Sequence, residues 1–590
     1  MPHVVTQSCC SDASCVYACP VNCIHPTPGE PDFLTAEMLH IDPAACVDCG
    51  ACVSACPVDA IVPQKKLTEP QVQYLQINAD YYKEPREGRA KIGGTATRPA
   101  LAKFSAAPEV RRDRGPLRVA IVGSGPAAMY AADELLTQPG VTVNVFDRLP
   151  VPYGLVRAGV APDHQKTKQV SRLYDTISGQ PGFEYFLNVE IGEHLTHDEL
   201  LAHHHAVIYA VGASTDRALG IPGEDLPGAD SATNFVAWYN GHPDHAGDRF
   251  DLSHERAVVI GNGNVAFDVA RILTTDPELL ARTDIAPYAL EGLRRSRIEE
   301  VVVVARRGVA QSAFTVPEFA GLIDHPGVDV VVRPDEVCLD VASEALAARG
   351  DLDHATVQKL RLLARLPEPV PGNRRVGLRY LLTPTEILGG DRVTGVRFDR
   401  NAFAVGDGGT VRVEPTGDVE TLEAGLVLTS IGYRGVPIAG VPFDDARGVM
   451  PNDHGRVLGA PGGTPMPGIY ATGWIKRGPS GFIGTNKSCA QDTVRCLVDD
   501  FNAGRLSAPG AGDADLHRLV RRRRPEVIDR AGWRAIDRAE VRRGAARGGV
   551  REKITDEAEL VAIARAAARD SVPETGMRGA LRRRGILVSS

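Results

Sequence analysis

Short apolar runs recur along this chain, and each is followed by a glycine-rich turn and a segment with helical periodicity. LRVAIV, at residues 117–122, leads into GSGP and an alanine-rich segment, and a second apolar run, VTVNVF, follows. RAVVI, at residues 256–260, leads into GNGN and VAFDVARIL, and the run EVVVV follows. Continuous apolar runs of this length are typical of strands buried in a parallel sheet. The pattern predicts an α/β fold with two similar units and helices on both faces of each sheet.

The turn in the first unit has the spacing of a dinucleotide-binding fingerprint. Gly123, Gly125 and Ala128 form Gly-x-Gly-x-x-Ala between the strand and the helix. The glycines permit a tight turn and a close approach of the backbone to a pyrophosphate at the helix N-terminus. The next strand ends at Asp147, about 20 residues further on, where an acid can accept hydrogen bonds from ribose hydroxyls.

The second unit repeats this turn but ends its next strand differently. Gly261, Gly263 and Ala266 take the glycine positions, and EVVVVARRG ends in Arg306 and Arg307 instead of an acid. Two guanidinium groups suit a 2′-phosphate in geometry and charge, whereas an acid would repel it. The second unit is therefore predicted to bind NADP(H), and two dinucleotide sites in one chain predict FAD plus NADP(H).

Nine of the 12 cysteines lie between Cys9 and Cys56. Residues 46–57 read CVDCGACVSACP, which is the C-x2-C-x2-C-x3-C-P spacing of bacterial iron–sulfur ferredoxins. A zinc ribbon would show two separated CxxC pairs instead. The N-terminus has neither a basic segment nor an apolar core typical of a secretion signal, so a disulfide framework is disfavoured and a cytoplasmic location is expected.

The cysteine-rich segment is an internal repeat, in which CVYACPVNCI (15–24) aligns with CVSACPVDAI (52–61). The same register places Asp12 opposite Cys49 and leaves Cys10 and Cys23 outside the ligand positions. In the interleaved arrangement of two-cluster ferredoxins, one cluster takes its fourth cysteine from the other half. The predicted ligands are Cys46, Cys49, Cys52 and Cys19 for a [4Fe-4S] cluster and Cys9, Cys15 and Cys56 for the other.

Asp12 leaves the type of the other cluster open. This half resembles the bacterial ferredoxins that pair a [3Fe-4S] with a [4Fe-4S] cluster, in which case Asp12 is a solvated turn residue. Alternatively, Asp12 ligates a fourth iron through oxygen, which matches iron less well than a thiolate.

Charge is segregated along the chain. Residues 1–64 contain seven acidic residues and no Lys or Arg, whereas residues 501–590 contain 20 basic and 12 acidic residues. We expect the acidic N-terminal part to swing on a linker and meet cationic surfaces. The basic tail has no nucleic-acid-binding motif and few aromatics, so we expect a solvated helical extension packed on the rest of the protein and no nucleic-acid partner. No apolar run is long enough for a membrane span.

These patterns predict the domain organisation. Residues between the cysteine-rich segment and the first apolar run are rich in Gly, Pro, Ala and charge without apolar periodicity, which is typical of a linker. LVLTSIG (426–432) is expected to mark the return of the chain from the second unit to the first. The predicted boundaries are 1–63 for a small α+β ferredoxin-like domain, 64–115 for a flexible linker, 116–215 and 436–505 for a Rossmann-like FAD-binding domain, 216–435 for a Rossmann-like NADP-binding domain, and 506–590 for a basic helical C-terminal extension.

Four further stretches carry a family resemblance. They are YGLVRAGVAPDH (153–164), GNGNVAFDVARIL, ARRG with the later Phe314, Thr315 and Glu318, and ATGWIKRGPSGFIGTN (471–486). Residues 116–500 resemble the adrenodoxin-reductase-like ferredoxin–NADP reductases, and the whole chain is similar to actinobacterial proteins that fuse a ferredoxin to such a reductase. The resemblance implies FAD contacts at Ala127, Asp147, Leu155, Val189, Trp474, Gly481, Phe482 and Ile483. It implies NADP contacts at Asn262, Gly263, Asn264, Val265, Arg306, Arg307, Glu318 and Gly481.

The resemblance implies electron transfer between NADPH and ferredoxin-type clusters through FAD. The flavin part has no CxxC, so a redox dithiol is not expected, and His164 is the candidate for handling flavin protons. The expected partners are NADPH and electron-acceptor proteins such as free ferredoxins or ferredoxin-dependent enzymes. Two alternatives remain: reduced ferredoxin makes NADPH in the reverse direction, or the N-terminal part is a redox-sensing or docking module and the acceptor is separate.

Overall fold

The computed structural model describes residues 2–83, 101–102, 108–405 and 411–571. Residues 2–83 form one unit, which we call the N-terminal domain. Its two halves repeat the same geometry: each short helix follows a residue with positive φ, Ala13 or Gly50, and ends at a cysteine, Cys19 or Cys56, in extended conformation. Its elements are β1 (His3–Val5), α1 (Ser14–Ala18), β2 (Ile24–His25), β3 (His40–Ile41), α2 (Ala51–Ala55), β4 (Ile61–Pro63) and α3 (Gln73–Tyr81).

Helix α3 corrects the predicted start of the linker. The Asn78 side chain in α3 accepts hydrogen bonds from Val5 N and Ile41 N at 3.2 and 2.9 Å, and it donates to Val5 O. One amide thus joins α3 to β1 and β3, so residues 64–83 belong to the N-terminal domain. Most of the remaining predicted linker, residues 84–100 and 103–107, lies outside the described residues.

The FAD-binding domain is built on a seven-stranded sheet in the order β20-β21-β22-β8-β5-β6-β7. Strands β22, β8, β5, β6 and β7 are parallel. Its first segment contains β5 (Leu117–Val122), α4 (Pro126–Leu136), β6 (Val141–Asp147), α5 (Leu155–Ala158), α6 (Gln165–Lys168), α7 (Val170–Ile177), β7 (Phe183–Leu187), α8 (His197–His203) and β8 (Ala206–Tyr209).

The NADP-binding domain is inserted after β8. Its six parallel strands have the order β10-β18-β11-β12-β14-β13, and an antiparallel sheet, β15-β16-β17, packs beside them. The elements are β9 (Thr215–Asp216), β10 (Ala229–Ser231), α9 (Ala232–Tyr239), β11 (Arg256–Ile260), α10 (Asn264–Thr274), α11 (Pro277–Leu280), α12 (Pro287–Arg294), β12 (Glu300–Val304), α13 (Val316–Ile323), β13 (Val328–Val332), α14 (Val341–Arg349), α15 (His354–Leu363), β14 (Arg374–Arg379), β15 (Leu382–Gly389), β16 (Val393–Val405), β17 (Val411–Glu423), β18 (Leu426–Thr429) and β19 (Tyr433–Arg434).

The chain passes between the two domains at β9 and β19, which pair antiparallel. LVLTSIG was expected to mark this return, but β18 lies inside the NADP sheet between β10 and β11. The second FAD segment then adds β20 (Asn452–Asp453), β21 (Arg456–Leu458), β22 (Pro465–Ala471), α16 (Trp474–Arg477) and α17 (Thr485–Asn502). The predicted class, two α/β dinucleotide folds behind a small iron–sulfur domain, is confirmed.

The C-terminal helices α18 (Asp513–Arg523), α19 (Arg530–Ala546) and α20 (Glu557–Ser571) complete the described chain. Trp533, Ile536 and Leu560 are fully buried in the same apolar core as strand β5 of the FAD-binding domain. The segment is helical and packs on the reductase as expected, but it is not a solvated extension, because these side chains are part of the core of the FAD-binding domain. The basic run Arg582–Arg584 lies outside the described residues. Among the described residues, no helix has both the length and the apolar character that crossing a bilayer requires.

Candidate functional site

The four cysteines predicted to share a [4Fe-4S] cluster line one small cavity in the N-terminal domain. Burial raises the pKa of Cys52 to about 11, and the neighbouring Cys46, Cys19 and Cys49 add to this rise. Four convergent thiols are the donor set of a [4Fe-4S] cluster, so the residues fit this group. Cys23 also lines the cavity, with its Sγ 3.4 Å from Cys19 Sγ.

Cys9, Cys15, Cys56 and Asp12 come together as a second set. Burial raises the pKa of Cys15 well above its ordinary value, and the charges of Cys9, Asp12 and Cys56 raise it further. Asp12 is buried and not the solvated turn residue that was expected beside a [3Fe-4S] cluster. Its carboxylate accepts from Ser14 N at 3.3 Å and from Ser14 Oγ at 2.5 Å, and it lies 3.9 Å from Lys487 Nζ. Three thiols and one engaged carboxylate fit an iron–sulfur cluster with three cysteine ligands.

The loop that carries Cys9 and Asp12 of this second set is packed against the FAD-binding domain. Gly484 N donates a hydrogen bond to Cys10 O at 2.8 Å, and a Cβ at Gly484 would lie 2.2 Å from Asp12 N. Lys487 Nζ also donates to Ser14 Oγ at 3.0 Å. Cys10 is buried in the same apolar core as strand β5. The predicted swinging head is therefore wrong: apolar packing, one backbone hydrogen bond and one side-chain hydrogen bond hold this loop in place.

The first glycine turn forms the cradle that a dinucleotide needs. Gly123 has φ +101°, and a Cβ there would lie 2.5 Å from Ala210 O. Helix α4 begins after Gly125 without a side-chain cap, which leaves its first N–H groups for an anion. Asp147 accepts hydrogen bonds from Ser124 N and Leu149 N at 2.8 and 2.9 Å, and burial raises its pKa. These residues fit the pyrophosphate and ribose of FAD.

The other predicted FAD residues come from both segments of the domain. Val189 N donates to Asp147 O at 2.8 Å, which places Val189 next to the residue predicted to bind the ribose. A Cβ at Gly473 would lie 2.5 Å from the Ala127 side chain, so the segment 471–486 packs directly against the start of helix α4. Trp474 Nε1 donates to Ser480 O at 3.1 Å. Leu155 and Gly481 are exposed and Phe482 and Ile483 are half-buried, while Ala128 is fully buried in the core under the turn.

The second glycine turn has a matching cradle with an orphaned donor. Helix α10 begins after Gly263 without a side-chain cap. Asn264 Oδ1 accepts from Thr315 N at 2.8 Å. Asn262 Nδ2 is buried without a hydrogen-bond partner. Val265, three residues later, is half-buried. A buried donor without a partner is costly in a folded protein, so this turn fits a bound phosphate or ribose oxygen.

Arg306 and Arg307 follow the carboxyl end of β12, a central strand of the NADP sheet, and are exposed. Their backbone is fixed, because Asn401 Nδ2 donates to Arg306 O at 3.1 Å and Leu381 N donates to Arg307 O at 3.3 Å. Among the described residues, neither guanidinium has an acidic partner. Both therefore fit the 2′-phosphate of NADP(H).

His164 and Glu318 meet where the FAD- and NADP-binding domains contact each other. His164 Nε2 lies 3.7 Å from a Glu318 carboxylate oxygen. Burial raises the pKa of Glu318, Asp268 adds to the rise, and His164 and Arg271 oppose it. His164, Asp268 and Glu318 could together hold a cation, and the proton-handling role of His164 stays a prediction.

Sequence reasoning missed the charges that hold this junction. Arg271 is 2% exposed and donates to the Asp163 carboxylate at 2.6 and 3.0 Å and to Asp268 at 2.7 Å. Burial would raise the pKa of Asp163, but Arg271 and then His164 bring it well below its usual range. The sequence contains one indication of this cluster, because Arg271 lies inside the apolar run VARIL. A buried arginine there requires acidic partners, since an unpaired buried charge is too costly.

Comparisons with known proteins agree with this arrangement. A family model described as "Pyridine nucleotide-disulphide oxidoreductase" matches residues 117–315, and one described as "4Fe-4S binding domain" matches residues 39–62. The solved structure of Mycobacterium tuberculosis FprA in complex with NADPH is 46% identical, covers 76% of this chain and 99% of FprA, and superposes with a TM-score of 0.71.

Two curated relatives extend the comparison. The human mitochondrial NADPH:adrenodoxin oxidoreductase is 40% identical over 457 residues, which is 76% of this chain and 91% of the human protein. The probable ferredoxin/ferredoxin–NADP reductase of Mycobacterium tuberculosis is 56% identical over 575 residues, which is 97% of this chain and 96% of the relative. This last match includes the N-terminal domain, and the chain therefore belongs to the family of ferredoxin–NADP reductases that carry a ferredoxin domain of their own.

Proposed function

We propose that this chain transfers electrons between NADPH and the iron–sulfur clusters of its own N-terminal domain through FAD. The observation that carries this proposal is the loop Cys9–Ser14, which contains Cys9 and Asp12 of the second ligand set and is packed on Gly484 and Lys487. Those residues directly follow Gly481–Ile483, where the resemblance implies flavin contacts. The acceptor ligands therefore lie beside the flavin segment without any domain movement.

The FAD that these residues would hold would supply hydride acceptance from NADPH and one-electron release, because each cluster takes one electron at a time. The protein contributes binding and orientation. Gly123 and Gly125 leave room for the FAD pyrophosphate, and Asp147 accepts hydrogen bonds from the ribose. Arg306 and Arg307 bind the 2′-phosphate of NADPH. His164 and Glu318 hold a proton between the two dinucleotide sites.

The [4Fe-4S] ligand set lies on the outer side of the N-terminal domain. Cys49 is exposed and its neighbour Val47 is 58% exposed. Electron-acceptor proteins such as free ferredoxins or ferredoxin-dependent enzymes can approach this cluster directly. The docked loop favours an internal electron path over a separate sensing module.

Anaerobic titration of the full-length holoenzyme with NADPH tests this function. We expect the flavin absorbance to bleach and at least one cluster signal to change in electron paramagnetic resonance spectra. Dithionite reduction is the control that shows which clusters can be reduced at all. A bleached flavin beside clusters that only dithionite reduces would favour the sensing or docking module.

We further propose that the cluster at Cys9, Cys15 and Cys56 is a [3Fe-4S] cluster. Asp12 supports this choice because its carboxylate is engaged by Ser14 and faces Lys487, which leaves it a poor ligand for a fourth iron. Asp12 stands where the other half of the repeat has Cys49. The protein as isolated should therefore show the signal of an oxidised three-iron cluster beside a [4Fe-4S] cluster.

The substitution Asp12→Cys should convert the three-iron site into a four-iron site, because it supplies the missing thiolate. Iron analysis and electron paramagnetic resonance measure the change. Asp12→Asn is the matched control and should keep three irons, and Cys10→Ser and Cys23→Ser should leave both clusters intact. Two four-iron clusters in the unmodified protein without added iron would instead identify Asp12 as an oxygen ligand.

A further inference from the structure

The helix that carries Glu318 receives an N-terminal hydrogen bond from a different domain. Helix α13 begins at Val316, and its N-cap residue Thr315 makes no side-chain capping bond. Instead, Val316 N donates to Glu37 Oε2 of the N-terminal domain at 2.6 Å. The first N–H groups of a helix have no partner in their own helix, and a carboxylate there also interacts favourably with the helix dipole. Glu37 thus caps α13 from outside.

The Glu37 carboxylate is itself held in place. Its Oε1 lies 3.0 Å from the Nζ of Lys359 in α15, a buried lysine that also donates to Ser312 O at 3.3 Å. The same ammonium lies 5.5 Å from the centre of the Phe314 ring. Glu37 therefore fixes the segment before α13 as well as its first turn.

Two successive backbone N–H groups at this point link two sites. Thr315 N donates to Asn264 Oδ1 at the second dinucleotide turn, and Val316 N donates to Glu37. The start of α13 therefore lies between the predicted NADP cradle and the ferredoxin domain. A shift of Glu37 would move this segment relative to Asn264.

The N-terminal domain also covers one face of α13. The Val316 side chain is buried in the core of the N-terminal domain, and Tyr74 Oη donates to Pro317 O at 3.3 Å. Further along, Gln73 donates to Asp324 at the end of the helix. Glu318, on the same helix, instead reaches His164 and Arg271.

We propose that Glu37 is a positioning residue of the NADP(H) site: it orients α13 and thereby sets Glu318 against His164. The ferredoxin domain then has two roles, because it accepts electrons and also shapes the site that binds their donor. This inference rests on the proposed function and goes beyond it. Glu318 reaches His164 at 3.7 Å, and displacements of about 1 Å near reacting groups are enough to slow a reaction substantially.

Anaerobic stopped-flow reduction of the flavin by NADPH in the full-length holoenzyme tests the proposal. Glu37→Ala should lower the limiting rate of flavin reduction by roughly 2- to 30-fold, which is the fold-change equivalent to the stability that a helix cap contributes. The Kd for NADP⁺, measured by calorimetry, should change less, because Arg306 and Arg307 dominate that contact. The pH dependence of the rate should shift, since the surroundings of Glu318 change. Glu37→Gln keeps an acceptor oxygen for Val316 N and should recover most of the rate.

Two control variants separate the cap from docking in general. Asp80→Asn removes the charge that pairs with Arg361 in α15, across the same interface but not at the start of α13. Glu30→Gln changes a carboxylate that bonds His25 within the N-terminal domain. Both should keep the unmodified rate. An equal loss in Asp80→Asn and Glu37→Ala, or an unchanged Glu37→Ala, would overturn the assignment of Glu37. Absence of NADPH-dependent flavin reduction in the unmodified protein would instead refute the proposed function.

Discussion

Replacing either Arg306 or Arg307 with glutamine should lower kcat/KM for NADPH by at least about tenfold, because each charge-assisted contact contributes roughly 1.5–3 kcal/mol. Replacing both should lower it by at least about a hundredfold. The kcat/KM for NADH should change little, since NADH has no 2′-phosphate to contact. The side chains are exposed and without acidic partners among the described residues, so their removal leaves no buried charge behind. Their backbone carbonyls remain fixed by Asn401 and Leu381.

The measurement is steady-state kinetics with each coenzyme and ferricyanide as the acceptor. Arg294→Gln with Arg295→Gln is a suitable control, because this exposed pair on α12 bonds Glu278 and Glu291 instead. The control variant should keep the preference for NADPH. Equal losses with NADPH and NADH in the Arg306/Arg307 variant would place the 2′-phosphate elsewhere.

Local patterns in the sequence were sufficient to predict which cysteines come together and where the two glycine turns lie. The cysteine spacing and the internal repeat placed Cys19 with Cys46, Cys49 and Cys52, and these four line one cavity. The residues of each such site are either close together in the sequence or related by an internal repeat. A short sequence motif is therefore enough to predict them. Cys23 shows the limit of this reasoning, because it lies outside the ligand register and still contacts Cys19.

Contacts between distant segments could not be predicted in the same way. Glu37 and Val316 are 279 positions apart, and nothing around Glu37 indicates a helix in another domain. The charge pattern correctly indicated an acidic N-terminal domain that meets cations, yet Lys359, Arg361 and Lys487 lie in the reductase and not in the basic tail. The net charge of a segment predicts the sign of the surface that it contacts. The position of that contact depends on packing, here the apolar packing around Cys10.

The C-terminal helices illustrate why arginine-rich segments are difficult to interpret from sequence. Helix α19 carries buried Trp533 and Ile536 between arginines, and Arg157 lies 5.7 Å from the centre of the Trp533 ring. Arginine can bury its stem and stack on an aromatic ring while its charge is paired. The partner here is Glu540, whose side chain is fully buried.

Glu540→Ala should therefore destabilise the FAD-binding domain by about 3–5 kcal/mol, the usual result of removing one partner from a buried ion pair. Glu540 accepts from Arg157 at 2.5 and 2.9 Å, from Arg551 at 2.7 Å and from Ile554 N at 2.9 Å. Its loss leaves two guanidinium groups and one N–H without their acceptor. The midpoint temperature of flavin release should fall by roughly 6–20 °C for a domain of this size.

Glu559→Ala is the matched control on the neighbouring helix. Glu559 pairs with Arg543 at the surface, where ion pairs contribute about 0–1 kcal/mol, so its midpoint should stay close to that of the unmodified protein. A similar fall in midpoint temperature in both variants would mean that any change in α19 or α20 destabilises the domain. The buried ion pair would then contribute no more than the surface pair.

The pH dependence gives a second check on the same group. Burial would raise the pKa of Glu540, but Arg157 and Arg551 outweigh burial and lower it below its ordinary value. A carboxylate with a lowered folded-state pKa stabilises the protein above its unfolded pKa of about 4.3, and this contribution is lost as the pH falls through the folded value. The stability difference between the unmodified protein and Glu540→Gln should therefore be constant from about pH 8 to about pH 5 and shrink below about pH 4. A difference that instead disappeared near neutral pH would show that Glu540 is not ionised beside the two arginines.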